Sequence, residues 1–125
     1  MNDTLDVLRY WLPEWRFSNV RRGGVDVVLA EQACPGTGLT YSRYSDIQEH
    51  ADCMAAELRR KYLERETVRI VEVSLTKGAC EVIIVCYEAW DKPSTYYSAM
   101  EPTELLATIA AGAKLREALE PGEGT

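Results

Sequence analysis

The sequence of 125 residues lacks any motif that would identify a chemical reaction. It has a single histidine, and its four cysteines form no CxxC pair, so the usual spacings of a zinc site are missing. Its carboxylates are scattered along the chain, with no paired set suited to metal binding or to acid–base catalysis. We therefore expect no catalytic residue, no metal and no cofactor.

Long hydrophobic runs are also missing. The longest apolar stretch, Val82 to Tyr87, has six residues, whereas a transmembrane helix needs about 20. No basic segment followed by an apolar run begins the chain, so we expect no signal peptide. Because the cysteine spacing suggests no disulfide framework, we predict reduced thiols and a cytoplasmic protein.

Length and composition indicate one compact unit. A chain of this size can bury roughly two thirds of its unfolded surface. Its composition, 46% hydrophobic and 27% charged, is ordinary for a globular protein. We predict a single α+β domain over residues 1–120 and a disordered tail over residues 121–125.

The most regular segment, Thr67 to Trp90, predicts a β-hairpin that turns at Lys77-Gly78. The expected pairs on its apolar face are Leu75 with Cys80, Val73 with Val82, Val71 with Ile84 and Arg69 with Cys86. The opposite face is polar near the turn and becomes apolar where Ile70 meets Val85 and Val68 meets Tyr87. This second face also needs a cover, either the N-terminal helix or a second copy of the chain.

A more polar hairpin is predicted from Trp15 to Gln32, with its turn at Gly23-Gly24. The expected register places Arg21 opposite Asp26 and also brings two further pairs together: Val20 with Val27, and Arg16 with Glu31. Because opposite charges across strands stabilise a pairing, the pairs Arg21–Asp26 and Arg16–Glu31 support the register.

Three helices complete the pattern: Asp3 to Leu12, a helix capped by Ser45 with Gln48, and a last helix from about Ser98 or Pro102 to Leu119. The apolar stripe of the second helix is Ile47, Ala51, Met54, Ala55, Leu58 and Tyr62, and that of the last helix is Leu105, Leu106, Ile109 and Ala113. Gly112 would allow a close neighbour. The order is αββαββα, which predicts an α+β fold with a four-stranded, mostly antiparallel sheet and the helices on one face.

Two alternative functions rest on short segments. The loop from Cys34 to Tyr44 would serve a small enzyme or ligand-binding domain, with Cys34 as a thiol and His50 as its base. The loop has glycines but no following lysine, so it is not a phosphate-binding P-loop. A nucleic-acid binder would use the basic residues Arg59, Arg60, Lys61 and Arg65. The net charge of −6 argues against direct binding of nucleic acid.

Aromatic side chains favour a third function, a protein-binding module. Tyrosine and tryptophan dominate interface hot spots, and several lie outside the predicted core, in particular in the aromatic loop from Trp90 to Met100. We predict a partner-binding surface consisting of Val68, Ile70, Ile83, Val85, Tyr87, Trp90, Tyr96 and Tyr97. It would bind a protein partner or a second copy of the chain in a homodimer.

The acidic surface suits a basic partner, such as a nucleic-acid enzyme. In gross profile alone (small, acidic, compact and without motifs) the chain is similar to phage-encoded inhibitors of host defence nucleases, including anti-CRISPR proteins. No residue pattern carries this likeness. The leading expectation is therefore a non-enzymatic interaction module of this inhibitor type.

Overall fold

The computed structural model describes residues 3–32, 45–87 and 91–119. The elements in order are α1 (Asp3–Trp11), β1 (Trp15–Arg22), β2 (Val25–Gln32), β3 (Ser45–Asp46), α2 (Ala51–Leu63), β4 (Val68–Thr76), β5 (Ala79–Cys86), β6 (Thr95–Glu101) and α3 (Glu104–Leu119). The predicted α+β class is confirmed. The loop from Cys34 to Tyr44, Trp90 and the tail 121–125 lie outside the described residues.

The two hairpins belong to separate antiparallel sheets, β1-β2-β3 and β4-β5-β6, and do not form the single four-stranded sheet that the sequence predicted. The reason is that each hairpin receives its own third strand. The short β3 pairs along β2, and β6 pairs along the whole of β5. These third strands occupy the outer edges of β2 and β5, and the remaining edge strands, β1 and β4, do not pair with each other.

The first hairpin has the predicted register, with Phe17 opposite Ala30 and Arg21 opposite Asp26. Both turn residues have positive φ, +56° at Gly23 and +82° at Gly24, as the turn of a two-residue hairpin requires. The Arg21 guanidinium lies 3.4 Å from the Asp26 carboxylate.

The second hairpin follows the prediction from the turn as far as Ile70 and then departs from it. A register shift between Val68 and Ile70 pairs Val68, rather than Arg69, with Cys86. An extra residue in one strand exchanges the two faces beyond that point. Val68, predicted on the second face, is therefore buried in the core, and Arg69 is exposed.

Strand β6 was predicted as part of an aromatic loop. It runs antiparallel to β5, with Tyr97 opposite Ile84 and Ala99 opposite Val82. Serine and threonine between the aromatic residues obscured the apolar alternation, although tyrosine and threonine favour strands. The strand places Tyr96 and Tyr97 on opposite faces of the sheet.

The second helix begins later than predicted. Ser45 lies in β3, α2 starts at Ala51, and His50 at its N-cap makes no capping side-chain bond. The Asp46 carboxylate instead accepts a bond from the Gln48 backbone N–H at 2.9 Å, a local turn that competes with helix initiation. The predicted stripe is otherwise confirmed, since Met54, Ala55, Leu58 and Tyr62 are buried.

The three helices pack chiefly on one another and on the two sheets. Helix α3 covers β5 and β6, α2 packs against α3 and β4, and α1 packs against α3 and β1. On the covered face of the second sheet, Cys80, Val82 and Ile84 are fully buried. The core therefore lies between the helices and the central strand β5.

The helices meet where Tyr62 crosses Gly112. A Cβ atom at Gly112 would lie 2.0 Å from the Tyr62 hydroxyl oxygen, so only glycine fits there. The Tyr62 hydroxyl donates to the Thr108 carbonyl at 2.7 Å, and the Trp11 indole N–H donates to the Gly112 carbonyl at 3.1 Å. The Trp11 and Tyr62 rings meet edge to face at 4.7 Å. The predicted close approach at Gly112 is confirmed, and it joins α1, α2 and α3.

We expect Gly112→Ala to lower the free energy of unfolding by about 1–3 kcal/mol or more, because the new methyl group overpacks a filled core. An ordinary Gly→Ala change inside a helix has the opposite sign and stabilises by up to about 1 kcal/mol. Urea unfolding measures the difference. The control Glu117→Ala, at an exposed position of α3, should change stability by less than about 0.5 kcal/mol. A stabilised Gly112→Ala protein would contradict the close contact.

Candidate interaction surface

The side of the second sheet that faces away from the helices is the candidate site, and we call it the open face. Its side chains form three rows across the strands: Ile70–Val85–Tyr96, Glu72–Ile83–Ser98 and Ser74–Glu81–Met100. The first row is entirely apolar or aromatic. The other two rows mix apolar residues with carboxylates and serines.

The apolar patch of this face comprises Ile70, Ile83, Val85, Tyr96 and Met100. Ile70 is 49% exposed, Tyr96 65% and Met100 56%, while Ile83 and Val85 are half-buried between them. Of the two predicted covers, the N-terminal helix is wrong, because α1 packs on α3 and β1, and a second copy of the chain stays a prediction. Within residues 3–32, 45–87 and 91–119, no helix or strand packs over the patch.

The structure brings part of the predicted partner-binding set together. Ile70, Ile83, Val85 and Tyr96 share the open face. Val68 does not belong to it, because the bulge turns it into the core, and Tyr97 packs against the core on the helix side. Trp90 lies outside the described residues. Sequence reasoning missed Met100, whose signal was its period-two spacing from Tyr96 and Ser98.

One end of the open face carries a cation held over an aromatic ring. The Arg69 guanidinium carbon lies 3.9 Å from the centroid of the half-buried Tyr87 ring. The Tyr87 backbone N–H donates to the Thr67 carbonyl at 3.0 Å, which extends the hairpin past the bulge. Tyr87, a predicted site residue, therefore lies at the edge of the patch beneath Arg69.

The other end of the open face is acidic. Glu72 and Glu81 are diagonal neighbours on adjacent strands, since Glu72 pairs with Ile83 and Glu81 with Ser74, and such neighbours lie about 7–8 Å apart. Neither carboxylate forms an ion pair with a residue of the described segments. Two uncompensated negative charges thus border the apolar patch.

The basic residues of α2 are engaged within the molecule. Arg59 binds Glu104 at 2.6 Å, Lys61 binds Glu14 at 2.9 Å, and Arg60 binds both Glu57 and Glu64. The pair formed by Arg59 joins α2 to the start of α3 and is largely shielded from solvent. These partners neutralise the charges that would be needed to bind phosphate groups.

Arg65, the last member of the predicted basic run, packs on the N-terminal aromatic residues. Its guanidinium lies 5.8 Å from the Tyr10 ring and 5.3 Å from the buried Trp11 ring, and it donates to the Tyr10 hydroxyl at 3.3 Å. Trp15 stacks on Phe17 at 6.2 Å. The aromatic residues around Pro13 therefore close the edge of the core.

The ion pair between Glu14 and Lys61 makes the stability of the protein depend on pH. Burial alone would raise the pKa of the Glu14 carboxyl, but the hydrogen bond from Lys61, a backbone bond and the charges of Lys61 and Arg60 outweigh it, so the pKa lies below its ordinary value. A carboxyl group whose pKa is lowered by folding stabilises the folded protein at pH values above its unfolded pKa of about 4.3. This stabilisation is lost as the pH falls through the folded pKa.

We expect Glu14→Gln to destabilise the protein at pH 7 and to have a progressively smaller effect as the pH falls below about 4. Urea unfolding of both proteins across this range measures it. In a Lys61→Met background, most of the pH-dependent difference should disappear. A difference that grows toward acidic pH would contradict the assigned direction of the pKa.

The described cysteines are free thiols: Cys53 is exposed, and Cys80 and Cys86 are buried. Burial raises the pKa of the Cys80 thiol, and the nearby Glu104 carboxylate adds to the shift; burial also raises the pKa of Cys86. A raised pKa disfavours the reactive thiolate. Cys34 lies outside the described residues, so its proposed pairing with His50 stays a prediction; His50 itself is exposed at the start of α2.

We expect a native Cys34→Ser protein to react with a thiol reagent at Cys53 alone, at an ordinary thiol rate. Cys80 and Cys86 should react only after unfolding, because they are inaccessible and protonated. Titration followed by peptide mass spectrometry identifies the modified positions. Rapid modification of Cys80 or Cys86 in the folded protein would contradict their assignment as buried structural thiols.

Two depressions formed by described residues could admit a small ligand. One, of about 350 Å³, lies between α1, β6 and α3, and the other, of about 330 Å³, lies between β2 and α3. Their described linings place neither a histidine nor a cysteine beside the carboxylates. In the described part of the chain, no group of three or more His, Cys, Asp or Glu could hold a metal ion.

Comparison with protein-family models, with curated proteins and with solved structures finds no match for this chain. None of the helices in the described ranges is both long enough and apolar enough to cross a membrane. Functional inference therefore depends on the geometry of the chain itself, above all on the open face.

Proposed function

We propose that this chain is a non-enzymatic protein-interaction module whose binding surface is the open face of the second sheet. The observation that carries the proposal is the row Ile70–Val85–Tyr96, extended by Ile83 and Met100, on a sheet face over which no described element packs. Apolar and aromatic side chains clustered on a rigid surface are typical of the centre of a protein interface.

The rigidity of the sheet supports this role. Each residue of the patch lies on a paired strand, and the central strand β5 is fixed from the other side by buried Cys80, Val82 and Ile84. A partner therefore does not have to order the backbone on binding, which lowers the entropic cost of association. Tyr96 offers a large area at little cost in side-chain entropy.

Charge defines the partner that fits best. Glu72 and Glu81 border the patch without partners of their own in the described segments, and the whole chain has a net charge of −6. Complementarity favours a partner with an apolar centre and basic surroundings. A nucleic-acid-binding enzyme supplies basic surroundings, so we propose inhibition of an enzyme of this kind, as in the phage-encoded anti-defence proteins of similar profile.

The alternative of direct nucleic-acid binding receives less support. Arg59, Arg60 and Lys61 are each paired with glutamates, and Arg65 packs on Tyr10 and Trp11. Phosphate binding would have to break or share these contacts. The ligand-binding alternative rests on the loop from Cys34 to Tyr44, outside the described residues, and stays a prediction.

We expect Tyr96→Glu to abolish partner binding without unfolding the chain, because it places a charge on an exposed position at the end of the apolar row. The wild type, Tyr96→Glu and the matched control Val25→Glu, 62% exposed at the tip of the first hairpin, serve as baits in a lysate. Retained proteins are identified by mass spectrometry, purified and tested for direct binding and, where they are nucleic-acid enzymes, for inhibition.

The proposal requires a purified partner that binds the wild type and Val25→Glu alike and binds Tyr96→Glu at least about tenfold more weakly. A basic partner should also associate more slowly as salt increases. Equal binding by Tyr96→Glu would contradict the assigned surface. Micromolar or tighter binding of generic DNA or RNA, lost when Arg59, Arg60 and Lys61 are changed to alanine, would favour the nucleic-acid alternative instead.

A further inference from the structure

The outer edge of β4 is a second surface, distinct from the open face. In the described part of the chain β4 pairs only with β5, so it is an edge strand along Val68–Thr76. The hairpin closes with Thr76 opposite Ala79, and hydrogen-bonded pairs alternate from such a closing pair. Ile70, Glu72, Ser74 and Thr76 therefore bond to β5. The N–H and C=O groups of Val71, Val73 and Leu75 point away from the sheet.

The side chains along this edge become steadily less covered toward the turn. On the helix side of β4, Val68 is buried, Val71 is half-buried, Val73 is 38% exposed and Leu75 is 76% exposed. The opposing residues of β5, Cys80 and Val82, are fully buried. The helices thus cover the central strand and leave the turn-proximal end of β4 bare.

The usual protections of an edge strand are missing from these positions. Natural edges are protected by prolines, charged side chains or bulges; β4 has one charge inside this stretch, Glu72, whose backbone groups bond to β5. Here the residues with outward backbone groups are valine, valine and leucine, and the bulge lies beyond them between Val68 and Ile70. An unprotected, apolar edge is a template for another strand.

We infer that β4 pairs antiparallel with β4 of a second copy of this chain, so that two three-stranded sheets join into one sheet of six strands. Two-fold symmetry centred on Val73 pairs Val73 with Val73 of the partner subunit and Leu75 with the partner subunit's Val71. The bare end of each strand then lies against the helix-flanked end of the other. Each copy offers the same surface, as a closed two-fold interface requires.

Charge and strand length favour this register over the two adjacent symmetric ones. Centring the pairing on Glu72 would set two glutamates directly opposite each other, which is unfavourable. Centring it on Ser74 would place Val71 against Lys77 of the partner subunit, beyond the end of β4. Centring on Val73 places Glu72 opposite the partner subunit's Ser74 and satisfies the backbone of all three apolar residues.

The inference does not rest on the proposed function, because the backbone edge of β4 makes the pairing, and the open face contributes only Glu72 and Ser74, which set its register. The two surfaces also differ in their response to salt. Each copy has a net charge of −6, so screening should strengthen the dimer, whereas it should slow association with a basic partner.

The first test measures the dimer by sedimentation across a concentration series. Val73→Lys should weaken dimerisation at least about tenfold, because it sets two cations opposite each other at the two-fold axis. Ser74→Lys should maintain or strengthen the dimer, since each lysine would face Glu72 of the partner subunit. Circular dichroism verifies that both variants are folded. A wild-type chain that stays monomeric at high micromolar concentration, or a dimer weakened equally by both lysines, overturns the inference.

A cross-linking experiment tests the register. In a protein with Cys34 and Cys53 changed to serine, Val73→Cys should form a disulfide-linked dimer on mild oxidation, because directly opposed hydrogen-bonded residues have Cα atoms about 5.5 Å apart. Leu75→Cys should not, since its counterpart lies four residues away along the strand. Cross-linking of Leu75→Cys in preference to Val73→Cys would overturn the pairing. Failure of the Tyr96→Glu prediction would leave both results unaffected.

Discussion

The contact between Tyr62 and Gly112 is the constraint on which the rest of the fold depends. It sets the distance between α2 and α3, and Trp11 attaches α1 to the same point of α3. Burial raises the pKa of the Tyr62 phenol and keeps it neutral, so it remains a hydrogen-bond donor to Thr108. Helix α3 in turn covers β5 and β6, so this contact holds α1 and α2 against the helix that buries one face of the second sheet.

The helices cover one face of the second sheet and leave the other face and the edge of β4 uncovered. The helices bury Val82 and Ile84 beneath them, so the alternate residues Ile83 and Val85 must point to the open face. The bulge near Val68 limits how much apolar surface is left there, since it returns one valine to the core. The composition of the open face is thus a geometric consequence of how the core is made.

Charge is divided unequally between the two sides of the molecule. The cations of α2 pair with glutamates inside and just after α2, at the start of α3 and in the connection after α1, and these pairs tie the helical layer together. The carboxylates of the open face have no such partners in the described segments. The described ion pairs thus leave the basic helix neutralised and the open face acidic.

The sequence by itself determined the local structure: both hairpin turns, the register from Ile70 to Leu75, the buried stripe of α2 and the need for glycine at position 112. These features depend on period-two or helical spacing and on turn residues close together in the chain. Tertiary structure alone decided that β6 joins β5, that the hairpins occupy separate sheets, and that Val68 and Tyr97 face the core. Those outcomes depend on which strand edges and sheet faces meet between segments far apart in the sequence. A residue pattern read along the chain does not contain that information.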